Sequence, residues 1–167
     1  MTYRDIKEIK KAFVDAAIRA IKAGFDGVEI HGAHGFLLNQ FTSPITNKRL
    51  DAYGGTFEKR IRLPLEITDE IRKKIGEDKL LLYRLGADDM MPGGITIRDS
   101  IKLAKKLEDK GVDIMDVSGG LIRSRPPNLT GQGYFVPLAE KIKKTINIPV
   151  IGVGCLLYTS DAADDMQ

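Results

Sequence analysis

The chain has 167 residues, 43% hydrophobic and 29% charged, with a net charge of +3, one cysteine, two histidines and no tryptophan. This balance belongs to a globular domain and excludes a disulfide scaffold, a collagen-like repeat and a low-complexity disordered chain. No run of about 18 apolar residues can span a bilayer, the polar start Met1-Thr2-Tyr3-Arg4-Asp5 lacks a signal-peptide core, and the Cys and His count is too low for a structural zinc site, so a cytoplasmic protein without metal is expected.

In chain order, Ile6, Ile9, Phe13, Ala16, Ala17, Ala20 and Ile21 recur at three- and four-residue steps, which predicts a helix over 5–23 closed by Gly24. Gly27 to His31 reads as a short buried strand. A second helix pattern covers 57–75, with Pro64 either kinking it or marking its true start, and precedes a strand from Lys79 to Leu85. Thr96 and Asp99 form a capping pair for a third helix that ends at Gly111 and leads into a strand over Val112–Ser118. A fourth helix near 135–146 precedes a strand from Ile148 to Val153.

The junctions of the first and third units align residue for residue, Ala23 to Gly32 against Lys110 to Gly119, so the chain contains an internal repeat. Four helix-then-strand units with near-continuous apolar strands predict an α/β fold whose parallel sheet is covered by helices. Both a doubly wound sheet and a β/α barrel satisfy that order. No G-x-G-x-x-G follows an early strand. The polar residues His31, His34, Arg84, Ser118 and the glycines 119, 120, 152 and 154 fall at or just past strand C-terminal ends, where β/α barrels keep their chemistry. The expected architecture is therefore a partial TIM (β/α)8 barrel, since a whole one needs roughly 250 residues. Its two unpaired edges predict instability or self-association.

Residues 1–154 are read as the central portion of the barrel. The stretch Cys155 to Asp165 abandons helix and strand patterning and resembles one reading frame of a common transposase sequencing adaptor, so 155–167 are set aside as a non-native read-through tail. The basic residues are interleaved with acids on separate helices and lack interspersed aromatics, which reads as solvated helix faces and not as a nucleic-acid surface.

The hexapeptide His31-Gly32-Ala33-His34-Gly35-Phe36 holds the only two histidines of the chain. Placed after a strand, they read as donors converging on a ligand oxygen, as half of a metal site, or as partners of the loop backbone. The metal reading lacks further ligands. An arginine at the end of the apolar strand around Arg84 needs a ligand or a carboxylate such as Asp88 or Asp116.

The run Val28 to Phe41, followed by Ser43-Pro44, Asn47-Lys48-Arg49 and Asp51 to Arg60, resembles the old yellow enzyme family of flavin-dependent ene-reductases. The likeness is greatest to its NADH:flavin oxidoreductase and 2,4-dienoyl-CoA reductase branch, and covers residues 2–154. Family members are FMN-binding β/α barrels, and the resemblance makes this segment their middle, from the helix before the fourth strand through the seventh strand. It implies reduction of an activated C=C bond of a small α,β-unsaturated carbonyl or enoyl substrate with electrons from NAD(P)H. By position, His31 and His34 match the pair that binds the substrate carbonyl, and Arg84 matches the arginine against the flavin pyrimidine edge. Gly152 and Gly154 match the start of the flavin-phosphate grip. Gly119, within Ser118-Gly119-Gly120, either lets the chain approach the flavin or simply makes a turn.

Phe36 departs from the family, where a tyrosine often donates a proton; Tyr53 and Tyr83 are substitutes in name only. Asp51, Tyr53, Gly54, Gly55, Glu58 and Arg60 read as structural. Arg123 and Arg125, on a loop from Leu121 to Gly133, are either phosphate contacts or solvated charges. An iron–sulfur cluster, held by a cysteine cluster in longer relatives, would need sequence downstream of this chain. Two other readings stand beside this one: a catalytically inactive fragment unable to hold FMN alone, and a different FMN barrel acting on tRNA, whose expected catalytic cysteine is absent from the legible strands.

Overall fold

The computed structural model describes residues 1–121 and 132–154. The first helix, α1 (Tyr3–Lys22), starts on a reciprocal cap in which Thr2 Oγ1 accepts the Asp5 N–H at 3.2 Å and Asp5 Oδ2 accepts the Thr2 N–H at 2.7 Å. It stops at Gly24, whose φ of +97° closes the helix in a conformation that favours glycine. Strand β1 (Gly27–Gly32) follows at once.

A short helix, α2 (Leu37–Thr42), follows β1, an element that the apolar periodicity does not announce. It is fixed from within: Asn39, fully buried, accepts the Gly35 N–H through Oδ1 at 2.8 Å. The helix expected over 57–75 is two helices, α3 (Phe57–Arg60) and α4 (Arg62–Ile75), meeting at Ile61. Pro64 occupies the third position of α4, within the first turn, where backbone N–H groups have no intrahelical acceptor, so it marks the start and does not kink the helix.

Strand β2 (Leu80–Gly86) leads to α5 (Ile97–Glu108), capped as expected by Asp99, whose Oδ2 accepts from Thr96 Oγ1 at 3.0 Å. Strand β3 (Ile114–Ser118), α6 (Val136–Lys143) and β4 (Val150–Gly152) complete the described order. The repeat holds in detail, because Gly111 ends α5 with φ +85° as Gly24 ends α1.

The four strands form one parallel sheet in sequence order β1-β2-β3-β4. This unreversed order is that of a β/α barrel wall; a doubly wound sheet reverses at a switch point. Alternation divides the strands into two faces. Ile30, Tyr83 and Met115 share one register row, are buried, and belong with Leu81, Leu85 and Val117 to the core beneath the helices. The next row on the other face is His31, Arg84, Asp116 and Ile151, with Glu29, Leu82 and Ile114 one step below. That face is only partly covered, with Leu80 and Ile151 46% and 43% exposed. It corresponds to the lumen side, which a barrel fills by closing on itself.

Both outer edges, β1 and β4, lack a further strand among the described residues. A groove of about 380 Å³ runs along the β1 edge between Phe13, Ala16, Ile71, Val28 and Ile30. Among the described residues no helix is long and apolar enough to cross a membrane. The residues set aside as a tail, and the loop residues Arg123 and Arg125, lie outside the described residues.

Candidate active site

Strand register and one tight turn assemble the polar cluster. His31 stands beside Arg84, and Arg84 beside Asp116, on three adjacent strands. His34 returns to the same place because the chain reverses after Gly32: His34 takes φ +58° and Gly35 φ +73°. For histidine this left-handed conformation costs of order 1 kcal/mol, which the surrounding bonds must hold. The two imidazoles meet edge to face with centroids 5.2 Å apart, and Phe36 packs on His31 at 4.9 Å.

Each ring has one nitrogen engaged. His31 Nδ1 accepts the Ala33 N–H at 3.3 Å, which leaves Nε2 to carry the proton in the neutral ring. His34 Nε2 lies 2.7 Å from Ser118 Oγ. Burial, followed by the positive charge of Arg84, holds both imidazoles below the ordinary histidine value, against the opposing pull of Asp116. Both shifts favour the neutral imidazole; His31 then carries its proton on the free Nε2, while the proton of His34 lies on Nδ1 or in the bond to Ser118.

Arg84 Nε is 3.3 Å from Asp116 Oδ2, and of the two carboxylates weighed for it the ion pair is with Asp116. Asp88 instead accepts backbone N–H groups of Met90 at 2.7 Å and Ile97 at 3.3 Å. The pairing is incomplete: Arg84 Nε and Asp116 Oδ1 are buried without a hydrogen bond. Burial raises Asp116 above the usual carboxylate value, with Arg84 and the histidines drawing it down. Glu29, on the same face, is raised by burial and then by Asp116.

The glycines divide. Gly119 is buried, and its carbonyl oxygen lies 3.2 Å from where a Cβ on Gly86 would stand, so the β2 and β3 ends touch backbone to backbone. Gly154 has φ +111°, and a Cβ there would press on the Phe135 nitrogen and the Tyr134 ring. Gly152 pairs with Val117, and an added Cβ would make ordinary contacts with Ala139 and Val136, so nothing on that side demands glycine.

Neither tyrosine joins the cluster. Tyr83 is completely buried on the helix-facing side, where desolvation pushes its hydroxyl far up. Tyr53 donates to Glu66 Oε2 at 2.9 Å, and that carboxylate also holds Lys10. The Asp51–Arg60 segment is structural as expected: Asp51 accepts from Arg49 and the Tyr53 N–H, Gly55 has φ +86°, and Arg60 Nε donates to Thr42 O at 2.9 Å. Among the described residues no group of three or more Cys, His, Asp or Glu is arranged to hold a metal.

One participant, Asp89, is not signalled by the sequence, while Asp116 enters there only as one of two carboxylates for Arg84. Asp116 had a signal, an acid at an inward position of an apolar strand, equivalent in the repeat to Glu29. Asp89 had none. It is buried and accepts from Ser43 Oγ at 2.5 Å, the Ile95 N–H at 2.8 Å and the Leu121 N–H at 3.1 Å, tying together the loops after β1, β2 and β3.

Parallel β/α units with a histidine pair, an arginine and a buried carboxylate converging at the strand ends define a segment of a β/α barrel with its polar site in the usual place. The sequence profile of the NADH:flavin oxidoreductase / NADH oxidase family matches residues 1–167, and the chain belongs to that family. It is 49% identical over 160 residues to an NADH oxidase of Thermoanaerobacter brockii, covering 93% of this chain and 25% of that protein. A 2-naphthoyl-CoA reductase in complex with 2-naphthoyl-CoA superposes with a TM-score of 0.88 and 33% identity, over 99% of this chain and 26% of that one. An old yellow enzyme homologue from Zymomonas mobilis superposes at 0.75 with 28% identity, over 99% and 45%. The chain thus spans between a quarter and a half of these relatives. The old yellow enzyme resemblance and the partial barrel read from the sequence both hold.

Proposed function

We propose that this chain forms the middle of an FMN-dependent NAD(P)H oxidoreductase that reduces the activated C=C bond of an α,β-unsaturated carbonyl or enoyl compound. The observation that carries the reading is the convergence at the strand ends of His31 and an incompletely bonded Arg84, neighbours in one register row, with His34 folded back against His31 by the turn after β1. The naphthoyl-CoA bound by one structural neighbour is a conjugated thioester, in keeping with such a substrate.

The residues fit an FMN. Arg84 has a buried Nε–H without an acceptor, and a fixed cation there suits the pyrimidine edge of a flavin that becomes anionic on reduction. Gly119, Gly152 and Gly154, at the ends of β3 and β4, would by the family resemblance let the backbone approach the flavin and, at 152–154, begin the grip on its phosphate. When bound, FMN supplies a hydride to the substrate β-carbon. His31 and His34 then do the protein's part: two N–H donors on the carbonyl oxygen stabilise the charge that grows there more than they stabilise the ground state. Phe36 has no proton for the α-carbon, so that role passes to water or to another residue.

The test is the visible spectrum after incubation with FMN and desalting. A retained, perturbed flavin band that Arg84→Met abolishes supports the reading, and a band indifferent to Arg84→Met overturns the arginine's role. A colourless protein favours the second reading, in which this chain by itself does not hold FMN. The two open sheet edges favour that second reading. We propose that they are closed by further barrel strands or by a second copy.

A further inference from the structure

His34 and Ser118 come from different strands, 84 residues apart, and their side chains meet at 2.7 Å. The proton in that bond has two possible owners, with different consequences. If His34 Nε2 carries it, the Ser118 hydroxyl proton is left without an acceptor on a residue only 2% exposed, and Nδ1 becomes a bare lone pair. If Ser118 carries it, the buried serine spends its one proton, and the leftover group is an Nδ1–H on a half-exposed ring. The second arrangement avoids a buried unsatisfied donor, which costs about 1–3 kcal/mol. It also requires a neutral ring, the form that burial and then Arg84 favour.

We propose that Ser118 is a positioning residue that donates to His34 Nε2 and holds His34 as the Nδ1–H tautomer. His31, fixed by the Ala33 N–H, is the opposite Nε2–H tautomer. The pair then presents one N–H from each ring. Ser118 can hold this post because the turn after it is anchored: Asp89 Oδ1 accepts the Leu121 N–H, and the Asp88 carbonyl accepts the Gly120 N–H at 2.9 Å. A Cβ on Gly120 would stand 2.3 Å from Asp89 Oδ1, so the turn packs its backbone directly against that carboxylate. The use of these two N–H groups rests on the reading of His31 and His34 as ligand donors; the tautomer assignment itself does not.

The experiment is long-range ¹H–¹⁵N correlation of the imidazole nitrogens at pH 8 in the labelled 167-residue chain, where two histidines give two readily separated patterns. Expected are an Nε2–H pattern for His31 and an Nδ1–H pattern for His34. Ser118→Ala should convert His34 toward Nε2–H while leaving His31 unchanged, and Ser118→Thr, which keeps the hydroxyl, should preserve the original His34 pattern. A wild-type His34 that is Nε2–H overturns the proposal, as does a His34 pattern indifferent to Ser118→Ala. A Ser118→Ala chain in which both histidines change together also overturns it, because that marks a general loosening of the strand ends. No flavin enters the readout, so a colourless protein with the expected tautomers would show only that this chain by itself does not hold FMN, and a flavin-binding protein with the wrong tautomers would sink this proposal alone.

Discussion

Arg84 and Asp116 face each other across β2 and β3 with Nε 3.3 Å from Oδ2, yet Arg84 Nε and Asp116 Oδ1 each lack a hydrogen bond. The charges are matched while hydrogen-bonding capacity is left over, which distinguishes this pair from the closed Arg49–Asp51 and Arg72–Asp113 pairs elsewhere in the chain. Breaking it from one side leaves a buried carboxylate without its counter-charge. Arg84→Met should lower stability by about 2 kcal/mol in urea denaturation. Arg84→Met combined with Asp116→Asn should recover most of that loss, and a double variant no more stable than Arg84→Met would show that the pair is not coupled.

Acidification should destabilise the fold in a defined window. His31 and His34 have folded pKa values below the ordinary 6.5, because burial and then Arg84 disfavour the imidazolium. The unfolded chain then binds more protons than the folded one, so stability from this source is complete above pH 6.5 and declines as pH falls toward the folded values. Asp116 and Glu29 have the opposite sign, raised above the usual carboxylate values, and their contribution fades as pH rises through their folded values. A thermal midpoint measured between pH 8 and pH 5 should fall below pH 6.5, and the fall should shrink in a His31→Ala, His34→Ala double variant.

The same double variant tests the ligand role in the flavin-loaded protein. Loss of both N–H donors should reduce kcat/KM for an enone by about 100-fold or more, judged by the effect of removing one donor from an oxyanion site. Unchanged affinity for a phenolic ligand that perturbs the flavin spectrum would refute the assignment.

Phe36 packs on His31 and is 59% exposed, so a hydroxyl at its para position would enter solvent-accessible space beside the ligand donors. Phe36→Tyr should accelerate substrate reduction by about 10-fold or more if protonation limits the rate, as a positioned general acid does. Stopped-flow reoxidation of the reduced flavin by an enone measures it.

Asp89 accepts three hydrogen bonds from three loops while 3% exposed. Asp89→Ala strips acceptors from buried donors and should cost about 3 kcal/mol or more. Asp89→Asn retains one acceptor oxygen and should cost less. Urea denaturation midpoints decide between a clamp and a passive loop residue.

Much of this protein was legible along the chain. Apolar steps of three and four, helix-ending glycines at 24 and 111 and four continuous strands specify parallel β/α units, because burial on one helix stripe and both strand faces is a local pattern. His31, His34 and Arg84 were legible as strand-end polar residues, and the match of His31-x-x-His34 with the Asp51–Gly55 segment carried the family. Pro64 was legible as either a kink or a helix start, and only the structure chose the start. Tertiary structure alone decided the rest. Which strands adjoin, and so which carboxylate meets Arg84, follows from register between segments about 30 residues apart. Asp89 makes contacts 32 and 46 residues away that leave no periodic trace. The partner of each histidine nitrogen depends on a turn that folds His34 back over β3. Hydrophobic period is a property of neighbours in sequence, whereas hydrogen-bond pairing of buried polar groups is settled by what the packed core brings within about 3 Å.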